Sequence, residues 1–380
     1  MTTSNKISGV NFMLKRFEVE SYKGFKNKII FDLSARDYEF NKNIVSNGIV
    51  NKAIIYGKNG TGKSSLGIAL FDIIIHLTDK ENLRPQYLMS YLNAETGKHE
   101  ATFKYVFQFG DDVVEYEYSK RDAFNLVKEK LTINDKLIIF FDYFRRTNNY
   151  LDPDLVGNLN IDLLDNKLSV IKYIYRNTPT NLDSPITKMM EFCDNMLWYR
   201  SLSDGNNYAG FTNGASSLVE KLYESGKVHD FEKFLADNDI HYKLEFVIIN
   251  SQHELMVVFE NGSRMPFVGI ASTGTMSLLL FFTWSIIAFK KISLLFIDEF
   301  DAFFHYEAAE SIVKKLNKAN NFQTILTTHN TYLMQNKLTR PDCCFIMTNN
   351  EIKSLYNSTE KEIREAHNLE KMYINGAFSE

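Results

Sequence analysis

The chain has 380 residues and a formal net charge of −4, with 44% hydrophobic and 24% charged residues. That composition supports two or three domains, or one domain with a large insertion, and excludes a chain disordered throughout. The near balance of charge excludes a generic basic coat for nucleic acid, and six prolines exclude a collagen-like or Pro-rich linker protein.

Residues 1–12 read as a polar leader without the apolar core of a signal peptide. Regular patterning begins at Met13, where Phe17, Val19 and Ser21 alternate with charged residues as in a strand, with a partner at 29–33. A short buried strand, 52–56, precedes a glycine-rich turn at 57–64 and a helix at 65–77. Residues 101–109 and 113–119 alternate around Gly110-Asp111-Asp112, a hairpin signal. From about 120 to 239 the text is mixed, with helical stretches near 161–176, 185–199, 214–225 and 228–237 and a loop at 203–214. Strand-like text returns at 242–249 and 254–260. An apolar helix at 275–289, a buried strand at 294–297, a helix at 306–316 and strands at 323–327 and 343–347 follow. The apolar run at 276–289 is short of the ~20 residues of a membrane span and reads as a core helix. Strands alternating with helices argue for an α/β parallel core.

Gly57-Lys58-Asn59-Gly60-Thr61-Gly62-Lys63-Ser64 fits the full phosphate-loop pattern between a strand and a helix. Backbone N–H groups there can wrap phosphates, Lys63 can reach the β/γ-phosphates, and Ser64 can hold Mg²⁺, with Ser65 beside it. A second signal is Leu294-Leu295-Phe296-Ile297-Asp298-Glu299, a buried strand that delivers two carboxylates to its C-terminal end. Asp298 is expected to bind Mg²⁺ through water and Glu299 to polarise the attacking water. About 235 residues separate Lys63 from Asp298 and no Asn-Lys-x-Asp guanine-reading segment is present, which favours ATP over GTP. Ala271-Ser272-Thr273-Gly274-Thr275 opens the apolar helix. It reads either as a phosphate-binding helix start or as a plain N-cap. Thr327-Thr328-His329-Asn330 ends a strand where a γ-phosphate sensor would fall.

Together these elements resemble an ABC-type ATPase of the SMC/RecF kind, and within it the bacterial defence ATPases of the OLD, RloA/AbiL and PARIS AriA type. The opening Phe17-Glu18-Val19-Glu20-Ser21-Tyr22-Lys23-Gly24-Phe25-Lys26 resembles their first strand, and Asp298-Glu299-Phe300-Asp301-Ala302-Phe303-Phe304-His305 resembles their Walker B segment. The resemblance covers about 13–115 and 245–350. It implies an ABC-type P-loop head in two halves, 1–120 and 241–380, with a mixed or antiparallel β lobe and a mainly helical insertion at 121–240. It also implies Mg²⁺-dependent ATP hydrolysis by Glu299, Lys63 and His329. A head-to-tail homodimer, or a higher oligomer, would place Ser272, Gly274 and Thr275 on the partner's nucleotide. Ser-Thr-Gly-Thr stands here where Ser-Gly-Gly-Gln is usual. The family's loop glutamine is left open between Gln86 and Gln108. About 50 residues follow His329, too few for a Toprim nuclease. The resemblance implies a separate Toprim-type effector chain, held by a cytoplasmic antiphage sensor and released by a phage-encoded trigger. The alternative is a RecF/SMC-like DNA-repair clamp.

Cys193, Cys343 and Cys344 lack metal spacing and read as reduced, buried thiols. Lys120-Arg121 and Arg145-Arg146 lie among aromatics, which leaves a DNA contact open, although a solvated face is the better reading. No membrane contact is expected.

Overall fold

The computed structural model describes residues 12–80, 88–156, 159, 161, 164–179, 181–201, 208–210, 217–349 and 351–378. The leader, up to residue 11, most of the loop at 203–214, and Gln86 lie outside them.

Strands β1 (Phe12–Glu20) and β2 (Ile29–Asp32) pair antiparallel across a tight turn at Tyr22 and Phe25. The short strands β3 (Val45–Ser46) and β4 (Ile49–Val50) lead into β5 (Lys52–Tyr56), which is buried at every residue. After the phosphate loop come α1 (Lys63–Leu70) and α2 (Asp72–Leu77), two helices where one was expected. Hairpins then build β6 (Ala101–Phe109), β7 (Asp112–Lys120), β8 (Leu126–Ile133) and β9 (Lys136–Asp142), with β10 (Tyr150–Leu151) at the edge. With β1 and β2 they form a seven-stranded antiparallel sheet, ordered β10-β9-β8-β7-β6-β1-β2.

The segment 121–240 departs from the expected mainly helical insertion. Its first part continues the antiparallel sheet, so the boundary drawn at 120 falls inside that sheet. Asn134 and Asp135, at φ 50° and 63°, supply the left-handed two-residue turn that joins β8 to β9. Helices α3 (Pro153–Val156), α4 (Val170–Asn177), α5 (Pro185–Asp194), α6 (Leu218–Ser225) and α7 (Val228–Ala236) do occur. The helix expected to reach 199 stops at Asp194, however. Met196–Arg200 is strand β11, with β12 (Tyr208–Gly210) paired to it. Four consecutive apolar residues fit a helix or a central strand equally well by periodicity. Burial on both faces is what a parallel core strand requires.

The last part holds a three-stranded sheet of β13 (Lys243–Ile249), β14 (Gln252–Val258) and β15 (Arg264–Pro266). It is followed by α8 (Phe267–Ile270), α9 (Thr273–Ile287), β16 (Leu294–Asp298), α10 (Tyr306–Lys318) and β17 (Gln323–Thr328). Strands β18 (Cys344–Met347) and β19 (Ile352–Ser354) and helix α11 (Leu369–Ile374) complete the described elements.

The core sheet runs β12-β11-β16-β17-β5-β18-β19. Strands β11, β16, β17, β5 and β18 are mutually parallel, and antiparallel strands close each edge. Side chains alternate between two hydrophobic clusters. Ile55, Trp198, Phe296 and Ile325 face the cluster shared with α1 and the antiparallel lobe. Ile54, Tyr199, Ile297 and Leu326 face the one shared with α9 and α10. The C-terminal ends of β5, β11, β16 and β17 therefore meet at one edge, where open α/β sheets bind ligands. The three cysteines are free and buried. Among the described residues, no helix is long and apolar enough to cross a membrane.

Candidate functional site

The phosphate loop leaves the buried end of β5 and closes on α1. Gly62 is the N-cap of α1 at φ 98°, in the left-handed region. A Cβ there would also lie 2.7 Å from Cε1 of Phe25, so only glycine fits. The N–H groups of Lys63, Ser64 and Ser65 precede the first intrahelical bond of α1 and are the donors an anion would use. Lys58, Asn59 and Gly60 are exposed on the loop crest, and Thr61 Oγ1 donates to Lys58 O at 2.9 Å. Gly57 begins the turn beside Met347 O.

Lys63 Nζ donates to Gly57 O at 2.7 Å and Lys58 O at 3.1 Å. Its ammonium thus rests on the carbonyls of its own loop, 3.4 Å from Nδ1 of His329. Burial lowers the Lys63 pKa, while Asp298 and Glu299 pull it back up. His329 itself is exposed at the end of β17.

Asp298 is fully buried at the end of β16. Thr327 Oγ1 donates to its Oδ1 at 2.7 Å and accepts from Glu299 N at 2.8 Å, so one hydroxyl fixes both acidic residues. Burial pushes the Asp298 carboxyl above the ordinary range. Hydrogen bonding from Ser64 and Thr327, and the Arg200 charge, oppose that push. Among the described residues, Asp298 Oδ2 has no hydrogen-bond partner. A buried carboxylate oxygen without a hydrogen bond, near Ser64 and 3.6 Å from Arg200 Nε, fits a divalent cation. Thr328 Oγ1 donates to Asp301 Oδ2 at 2.7 Å, which ties the β17 end to the turn after Glu299.

Ser272, Gly274 and Thr275 stand apart. Ser272 is the N-cap of α9, and its Oγ accepts from Thr275 N at 3.1 Å. A Cβ on Gly274 would lie 2.7 Å from Phe303 O, so this glycine lets the helix start sit on the turn after Glu299. None of the three is hydrogen-bonded to the phosphate loop among the described residues.

Gln108 lies in β6, where its Nε2 donates to Gly110 O at 2.6 Å, inside the antiparallel lobe. At the site the residue beside Asp298 is instead Arg200, at the end of β11. Its Nη2 is 2.8 Å from Glu299 Oε2, and its Nε is 3.6 Å from Asp298 Oδ2. Sequence reasoning missed it because β11 was read as the tail of a helix. The available signal was an apolar run broken by Arg-Ser, the same shape as 294–299.

The family described as "AAA domain, putative AbiEii toxin, Type IV TA system" matches residues 52–335, most of the chain. The chain belongs to this family. It is thus an AAA-type ATPase domain whose nucleotide is ATP. Solved structures similar to this AAA domain include an SMC head bound to the C-winged helix domain of ScpA (12% identity, 90% of this chain and 97% of that chain, TM-score 0.46). Others are the SMC head domain from Thermotoga maritima (14%, 90% and 98%, 0.40) and the recombination mediator RecF of the RecFOR pathway (13%, 92% and 99%, 0.41). No curated protein matches the sequence.

Proposed function

We propose that this AAA domain binds and hydrolyses Mg·ATP, and that it is the sensor and scaffold subunit of a cytoplasmic antiphage system. The observation that carries the ATPase reading is the meeting of Lys63, Asp298, Glu299 and His329 at one edge of the parallel sheet. Gly57 to Ser65 would cradle the phosphates, with Lys63 leaving its loop carbonyls for the β/γ-phosphates. Ser64 and Asp298 would hold Mg²⁺, which supplies neutralisation of charge across the phosphates. Glu299 would orient and deprotonate the attacking water, and His329 would face the γ-phosphate.

Ser272, Gly274 and Thr275 would complete the site of a second copy in a head-to-tail homodimer. Among the described residues none of the three is hydrogen-bonded to the phosphate loop of its own chain, which supports that reading. A phage-encoded trigger would shift the ATP-bound population and release a separate effector, such as a Toprim-type nuclease. The family description names a putative toxin of a type IV TA system, and the motifs at 17–26 and 298–305 point to the defence branch. The competing RecF-like clamp has one observation in its favour. The Arg121 guanidinium lies 4.1 Å over the ring of exposed Phe144, next to exposed Arg145. DNA-stimulated hydrolysis would select the clamp.

The test is the solution mass and turnover of Glu299→Gln with and without Mg·ATP. We expect hydrolysis to fall by about 10²–10⁴-fold with binding retained, and the mass to double with ATP. Wild-type turnover in this variant would remove Glu299 from the chemistry. A mass insensitive to ATP would remove the nucleotide-driven dimer.

A further inference from the structure

We infer that Arg200 is a positioning residue for Glu299, supplied by the same chain from the strand next to β16. The inference rests on the reading of Glu299 as the group that handles water. Three observations carry it.

First, the backbone fixes where Arg200 stands. Strands β11 and β16 run parallel in a register that sets Arg200 opposite Asp298, and Ser201 N donates to Asp298 O at 3.1 Å. The register fixes the backbone of Arg200, and the contacts with Glu299 and Asp298 locate its guanidinium.

Second, the guanidinium grips one oxygen. Nη2 and Nε lie 2.8 and 3.2 Å from the same Oε2 of Glu299. Both side chains are 27% exposed, so the pair is partly screened from solvent. Two donors on one oxygen fix the direction of the carboxylate.

Third, Glu299 needs an external hold. Its backbone is at φ 48°, in the left-handed region. Its N–H is tied to Thr327 Oγ1, but that bond fixes only the main chain. The carboxylate hangs beside a second carboxylate, Asp298, and like charges repel. A guanidinium stays charged at any working pH and offers a planar fork, so it can hold the two carboxylates apart and aim one of them. Nε at 3.6 Å from Asp298 Oδ2 shows that it reaches both.

Arg200 therefore acts through Glu299. Its removal should leave nucleotide binding in place and misdirect the water-handling carboxylate. Misplacement of a catalytic group by about 1 Å costs on the order of 10²-fold. Arg200→Ala is accordingly expected to lower kcat by about 10–100-fold while KM changes by less than about threefold. Arg200→Lys should restore part of kcat, because charge returns without the fork.

The deciding measurement is a cycle with Glu299→Gln on the full chain. If Arg200 works through Glu299, adding Arg200→Ala to Glu299→Gln costs nothing further. A loss of equal size in both backgrounds would mean that Arg200 acts on the nucleotide instead, and would overturn the inference. Unchanged kcat in Arg200→Ala would overturn it too. Arg200→Gln serves the same cycle where the alanine variant fails to fold. Wild-type turnover of Glu299→Gln alone would defeat the underlying reading of Glu299 separately from any result at Arg200.

Discussion

In the parallel sheet, buried charge gathers at the strand ends and is left incomplete. Asp298 is fully buried, yet its Oδ2 has no hydrogen-bond partner among the described residues. Lys63 leans on the carbonyls of its own loop. Beneath the antiparallel sheet, the two buried carboxylates are saturated. Asp72 accepts from Tyr91 and Tyr118 at 3.0 Å and from Lys120 at 2.7 Å. Glu129 accepts from Tyr116, Ser169, the Val170 N–H and Tyr143. A saturated buried network fixes the packing of α2 and α4 against the strands. An open one marks a place where something else must bind.

Lys63→Ala is the sharpest way to break this contrast. It removes the phosphate counter-charge, so ATP binding in a calorimetric titration should vanish while the melting temperature stays near wild type. Retained affinity would mean that the loop is not the phosphate site. Asp72→Ala should do the reverse. It leaves Lys120 buried without its carboxylate, a loss of about 3–5 kcal/mol in a urea titration. ATP affinity of the folded fraction should hold. Equal stability would mean that the network is not structural.

The smallest effect is expected at Lys52, at the opposite end of β5 from the phosphate loop. Its Nζ donates to Phe322 O at 2.6 Å and Thr324 Oγ1 at 3.1 Å, and burial pushes its pKa down to about 7. The folded value lies below the unfolded one, near 10.5. Between the two, the unfolded chain binds the proton and the folded chain does not, so stability should rise with pH from about 7 toward about 10. Lys52→Met should flatten that rise in denaturation midpoints at pH 7 and pH 9. An unchanged slope would place the titration elsewhere.

The parts of the site that read directly from sequence are those where one contiguous stretch carries both the strand and the chemistry. Residues 52–65, 294–299 and 323–329 each announce a buried strand and then polar groups at its end. Arg200 was hidden because Met196 to Tyr199 extend the apolar text of α5, and because its meaning depends on lying beside β16 in space. The β8–β9 hairpin was hidden for a different reason. Its turn is Asn134-Asp135, without the glycine that usually flags a left-handed pair, although both residues tolerate that conformation. The roles of the Thr327 and Thr328 hydroxyls follow from cross-strand geometry, which a linear pattern does not encode.

The placement of β5 bears on how the molecule is made. This strand of five buried residues is flanked by β17 and β18, so both of its neighbours come from residues 323–347. On a ribosome, about 290 residues must be added after Tyr56 before the second flank exists, roughly 15–60 s at ordinary elongation rates. Through that interval an apolar strand with two open edges is exposed, a ready template for wrong pairing. Nucleotide affinity should accordingly arrive late and all at once during synthesis, when the last neighbours of β5 emerge.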